Sequence, residues 1–153
     1  MENCNFPDYI GNLKAKLKSA FQSPIIGLPD DWRTGLLGAS PFSVFIPSRY
    51  GGRGQKVHEC LTVLETCSYE SLPFSLITGI NGALFLQPVS KYAEEKIQEQ
   101  VFNDFINHRS LGGLMITEPD FGSDALQMRS SFRKKKDAYH LRGIKHWGGL
   151  TGR

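Results

Sequence analysis

The hydrophobic period changes once along this chain, near residue 108, and that change constrains the fold more than any other feature. Up to Asn107, apolar residues recur at the three-and-four spacing that lines one face of a helix. From Gly112 onward the apolar runs are short, partly alternating, and bounded by turn residues, the pattern of strands. Helices first and strands afterwards predict an α+β chain: an all-α unit over 1–110, then the first strands of a β unit over 111–153.

Spacing predicts a helix over Asp8–Phe21, with Ile10, Leu13, Leu17 and Ala20 on one face, ended by Pro24, Gly27 and Pro29. A second short helix is expected over Asp30–Leu37. Phe42–Ile46 is apolar, and Pro47 to Gly54 is a loop rich in turn residues. A stronger helix is predicted over Gln55–Glu70, with Val57, Cys60, Leu61, Leu64 and Cys67 as its apolar stripe. Pro73 suits the first turn of the next. Its body, Phe74–Leu86, is apolar nearly all round, which predicts burial, and Pro88 is expected to stop it. Ser90 is expected to cap a last helix, Lys91–Asn107, with Ile97, Val101 and Phe105 stacked four apart.

Beyond the switch, Gly112–Ile116 reads as a strand. Gln127–Phe132 and Ala138–Trp147 read as a hairpin about Lys135-Lys136-Asp137. The 43 residues after Ser110 allow roughly three strands, marginal for an independent sheet. The chain ends just past an apolar strand, so an unpaired edge and a break in mid-domain are expected.

Composition removes several function classes. With 40% hydrophobic and 22% charged residues among 153, the chain has the profile of a globular protein, and a sizeable core is possible. A net charge of +3, with scattered basic residues, does not argue for nucleic acid. The run Arg133 to Lys136 reads as a solvated hairpin tip, with a phosphate patch as the weaker alternative. Cys4, Cys60 and Cys67 form neither a disulfide framework nor a metal site, and Cys60 and Cys67 read as buried small hydrophobes. No signal peptide and no membrane span are predicted, so the expected compartment is reducing and cytoplasmic.

Three motifs then become specific. Ile116-Thr117-Glu118-Pro119, two residues, then Gly122-Ser123-Asp124 resembles the flavin-binding signature of the acyl-CoA dehydrogenase family. Ile46-Pro47-Ser48-Arg49-Tyr50-Gly51-Gly52-Arg53-Gly54 resembles the IPxxYGGxG loop of that family's helical domain. Gly143-Ile144-Lys145-His146-Trp147 resembles its GxKxW strand. Order and spacing agree from about residue 28 onward. Taken singly, the first motif is equally compatible with a plain loop, and Trp147 with core packing.

The resemblance implies a helical N-terminal domain, a β-barrel-like middle domain and a C-terminal helical bundle, with FAD between them and part of its site from a neighbouring subunit. It implies a homo-oligomer for a complete protein only. The flavin contacts it implies are Leu114, Ile116, Thr117, Gly122, Ser123, Trp147 and Gly149. Physical chemistry is compatible with these roles. Thr117 offers a hydroxyl and main-chain donors, and Gly122 lets backbone approach a ligand. Ser123 offers a donor to a pyrophosphate, and Trp147 offers an apolar ring. Asp124 is expected to brace the turn, and Pro119 to stiffen it.

Two positions depart from the family pattern: Leu114 stands where an aromatic residue is common, and Gly149 where a hydroxyl usually reaches the flavin. The implied reaction is removal of a proton α to an acyl-CoA thioester, with a β-hydride passing to flavin. The family's base is a Glu of the C-terminal domain, and nothing here matches it. Glu118 belongs to the motif's turn, and His58, His108, His140 and His146 flank no nucleophile, so no catalytic residue is assigned. The Phe74–Leu86 helix corresponds to one wall of the family's acyl pocket. The electron acceptor stays open. An acyl-CoA oxidase, a flavin monooxygenase on the same fold, and a non-catalytic remnant or interaction module are the alternatives.

Overall fold

The computed structural model describes residues 4–21, 28 and 32–148. The expected helix stop at Pro24, Gly27 and Pro29, the start of the second helix at Asp30, and Gly149 lie outside the described residues. Two compact units are present, Met1–Gly112 and Gly113–Arg153.

The first unit is helical. Helix α1, Phe6–Ala20, begins two residues earlier than the apolar spacing suggests, because the Asn5 side chain accepts from the Asp8 N–H at 2.9 Å and Pro7 occupies the first turn. It buries Tyr9, Leu13 and Leu17. Helix α2, Trp32–Gly35, is one turn, and tight turns over Leu37–Ala39 and Pro41–Phe45 continue from it. Phe42, Val44, Phe45 and Ile46 from this stretch are core residues.

Helix α3, Val57–Glu70, forms as expected, but its buried stripe is shifted. Glu59, Cys60, Val63 and Cys67 face inward, whereas Val57 is 72% and Leu61 60% exposed. A 3.6-residue period tolerates a one-position rotation. The rotation is set by Glu59, whose carboxylate bonds Arg53 Nε at 2.9 Å and Lys56 Nζ at 3.2 Å.

Pro88 does not end the next helix. Helix α4, Leu72–Gly79, runs through a π segment, Ile80–Leu86, into α5, Gln87–Tyr92. Ser71 caps α4, accepting from the Phe74 N–H. Pro88 falls in the first turn of α5, where its missing N–H costs little. This 21-residue run, Leu72–Tyr92, is long and apolar enough to cross a membrane by length and composition alone. Helices at the heart of soluble folds pass the same test. Nor is it buried all round: Phe74, Ile77 and Leu86 are core, while Leu72, Leu76 and Leu84 are exposed.

Ser90 lies inside α5 and caps nothing; its hydroxyl donates to Gln55 Oε1 at 3.2 Å. Helix α6, Glu95–Asn107, starts four residues later than expected and buries Gln98, Phe102 and Phe105, leaving Ile97 exposed.

The second unit holds one hairpin. Strands β1, Ser131–Lys135, and β2, Ala138–Arg142, pair antiparallel from Ser131↔Arg142 to Lys135↔Ala138. Both are shorter than predicted. The basic run sits at its exposed end, with Lys136 at a positive φ of 56°. Phe132, Tyr139 and Leu141 share one face, and all three are exposed. Gly112–Ile116 is not a strand: it has no ladder partner among the described residues.

Candidate flavin site and family assignment

Glycines fix the Pro47–Gly54 loop. The Arg53 N–H returns to Ser43 O at 2.8 Å and the Gly54 N–H to Ile46 O at 3.0 Å. A Cβ on Gly52 would enter the Ile46 carbonyl, and Gly54 has a φ of 96°. These are backbone demands only glycine meets without strain. Arg53 then pairs with the buried Glu59. Burial alone would raise the Glu59 carboxyl pKa; the Arg53 and Lys56 hydrogen bonds outweigh it and hold the carboxyl below its usual range. On the loop's other side, Arg49 Nη2 and the Tyr50 hydroxyl both donate to Gln98 Oε1 on α6, at 3.1 and 3.3 Å. The loop is a staple of the helical unit. A cavity of about 530 Å³ beside it is lined by Tyr9, Ser43, Gly52, Arg53 and Phe105, among others.

The second unit brings the other two motifs together. Lys145 Nζ donates to Ile116 O at 2.9 Å, to Glu118 Oε1 at 2.9 Å and to Met128 Sδ at 3.2 Å. The His146 N–H donates to Thr117 O at 2.9 Å. So 116–118 lies alongside 145–146, joined by one main-chain bond and one lysine.

Glu118 is the brace of this arrangement. It is only 5% exposed. Its carboxylate accepts from the Arg129 N–H at 2.7 Å and the Ser130 N–H at 2.9 Å, besides Lys145. The donors gathered at Ser130 and Arg129, with the Lys145 ammonium, bring its pKa down to about 2. The Ser130 Oγ itself is buried without a hydrogen bond of good geometry, so we assign the lowering to the main-chain donors and Lys145. A carboxyl held this firmly as an anion makes a poor proton acceptor near neutral pH.

The brace is Glu118, not Asp124 as expected. The Asp124 carboxylate makes no hydrogen bond among the described residues, and only its carbonyl is used, by the Gln127 N–H at 3.1 Å. Asp120 helps instead, pairing with Arg129 at 3.1 Å, and that guanidinium lies 4.8 Å over the Phe121 ring. A shallow cavity of about 460 Å³ runs between this turn and the hairpin.

The sequence-predicted contacts fall as follows. Leu114 and Ile116 are exposed on the unpaired segment, and the N–H groups of Leu114, Met115 and Ile116 meet no acceptor among the described residues. Thr117 is half-buried beside Lys145–His146, and its hydroxyl meets no partner among the described residues. Gly122 is open, with nothing within 4 Å of a Cβ built on it. Ser123 is exposed on the turn, and Trp147 is 85% exposed at a φ of 60°. The geometry therefore joins Thr117 to the extended segment after β2 that leads to Trp147; among the described residues no hydrogen bond joins Ser123 to either. Unengaged hydroxyls, free main-chain donors and a bare indole form a donor set that fits the acceptors and apolar face of a flavin. Lys145 and Glu118 lay inside the quoted motifs, but only the folded turn shows their roles. Among the described residues no cluster of His, Cys, Asp and Glu could hold a metal.

Comparison with known proteins agrees. Residues 32–109 match the family described as acyl-CoA dehydrogenase, N-terminal domain. Mitochondrial isovaleryl-CoA dehydrogenase of Bos taurus is 32% identical over 101 residues, 66% of this chain and 24% of that protein. Butyryl-CoA dehydrogenase from Megasphaera elsdenii shares the fold with a TM-score of 0.75 at 18% identity, over 94% of this chain and 40% of that one. The prolyl acyl carrier protein oxidase AnaB matches with a TM-score of 0.68 at 24% identity, over 94% and 41%. The chain spans about a quarter of the length of the curated relatives it matches. By its matched helical domain and its fold, the chain belongs to the acyl-CoA dehydrogenase family.

Proposed function

We propose that this chain is the N-terminal portion of an FAD-dependent oxidoreductase that desaturates an acyl-CoA thioester between its α and β carbons. The observation that carries the reading is the junction of two motifs: Lys145 and His146 hold Ile116, Thr117 and Glu118 in place. FAD, when bound, supplies the hydride acceptor. The chain's own part is positioning. Thr117 presents its hydroxyl and N–H, Ser123 its hydroxyl, and Leu114, Ile116 and Trp147 apolar surface that excludes water; Gly149 completes the assignment. Lys145 and Glu118 keep that segment from rotating. The exposed side of Leu72–Tyr92, with Leu76 and Leu84, is our candidate for one wall of the acyl site. No residue of this chain is assigned as the base, and we regard the chain alone as inactive. The free, buried thiols of Cys60 and Cys67 support a reducing compartment, and we place the protein in the cytoplasm.

Thr117→Val and Ser123→Ala in the complete protein test the site. Each removes one hydrogen bond worth about 1 kcal/mol, so FAD Kd should rise roughly fivefold for each. Unchanged affinity in both variants refutes the assignment.

A further inference from the structure

Between Ile80 and Leu86 the long helix winds as a π helix. Such turns insert an extra residue and recur where a helix has a task besides packing. Asn81 lies in this turn. It is fully buried in the apolar run Ile77 to Phe85, where a side-chain amide is costly unless both its ends are used. Both are used. Nδ2–H donates to Ile77 O at 2.8 Å, and Oδ1 accepts from the Gly112 N–H at 2.7 Å, 31 residues away in sequence. The second bond holds the exit of the helical unit, because Gly112 is its last residue and Gly113 begins the next unit. The grip has another side: a Cβ on Gly112 would enter the ring of Phe85, also in the π segment. Phe85 in turn stacks on Phe105 of α6 at 5.6 Å.

We propose that Asn81 is a positioning residue, a clasp by which the π segment fixes the point where the chain leaves for Leu114–Glu118. Its functional meaning rests on the flavin reading of that segment. With Gly112 clasped, the segment departs from one fixed point two residues before Leu114.

Hydrogen exchange of the Gly112 amide in the 153-residue chain, followed by NMR, tests the clasp. The amide should exchange at least a hundredfold more slowly than a free glycine amide. A scalar coupling across the hydrogen bond should join Gly112 N to the Asn81 side-chain carbonyl. Asn81→Leu, near in volume but without polar atoms, should speed the exchange at least tenfold. It should also move the amide resonances of Gly113 to Thr117 while those of α1, α3 and the hairpin stay. Asn81→Ser, polar but too short to reach Gly112, replaces it if the leucine variant does not fold. Free-chain exchange of Gly112 in the wild type overturns the proposal. So does a folded variant that leaves Gly112 protected, or one that frees Gly112 without moving Gly113–Thr117. No readout uses flavin, so failure of the flavin reading and failure of the clasp are separate results.

Discussion

Glu118 carries the clearest pH signature in the molecule. Its folded pKa of about 2 lies below its ordinary value of 4.5. A carboxyl depressed on folding stabilises the fold above its unfolded pKa, and that stability is lost as pH falls through the folded value. The brace should therefore be intact at pH 6 and should fail progressively from about pH 4.5 towards 2, seen as loss of exchange protection at the Arg129 and Ser130 amides. In Glu118→Leu, which keeps no acceptor at that position, these amides should already be unprotected at pH 6 and show no such transition. Their persistence in that variant would mean that the turn holds itself. The thiols give a second residue-level expectation. Burial pushes the Cys67 thiol up to about 11 and raises that of Cys60, whereas Cys4 is exposed. A thiol reagent should modify one cysteine at once, and the other two at least a hundredfold more slowly, through opening of the fold. Three fast thiols would contradict the packing of α3.

Elements show where local preference and tertiary demand part company. The hairpin turns through Lys136 at a φ of 56°, a conformation that costs a residue with a Cβ about 1 kcal/mol. Lys136→Gly should stabilise the hairpin by about 0.5–1 kcal/mol, checked by the chemical shifts of Phe132 and Tyr139, whose rings meet at 5.8 Å. A destabilised hairpin would mean that the lysine contributes something its exposed position does not show. The long helix teaches the opposite lesson. Pro88 looked like a stop because proline breaks a regular helix. A change of pitch put it in a first turn instead, and Asn81 and its partner Gly112, remote in sequence, accompany that change of pitch.

For the whole molecule, the balance of covered and uncovered apolar surface matters most. The helical unit has its own core, with Leu13, Phe45, Val63, Phe74 and Phe102 fully buried. The β unit has no such core among its described residues: Phe132, Tyr139, Leu141, Ile144 and Trp147 are all exposed. A flavin resting on such a surface would keep much of its own area in water. Purified residues 1–153 with added FAD should therefore emerge from gel filtration colourless. Stoichiometric retention would show that this part of the fold builds a usable half-site.

The sequence by itself determined the helix-to-strand order, the hairpin, the burial of Cys60 and Cys67, and the family. Periodicity and glycine-marked loops are local properties, so they are written in neighbouring residues. Only the tertiary structure decided which face of α3 turns inward, that Leu72–Tyr92 runs on through Pro88, and that 112–116 joins no strand among the described residues. It alone singled out Glu118, Lys145 and Asn81. Each of these is a charged or amide group with a partner 11 to 31 residues away. No pattern of spacing announces such a pairing; it exists only once folding has brought the donors to the acceptor.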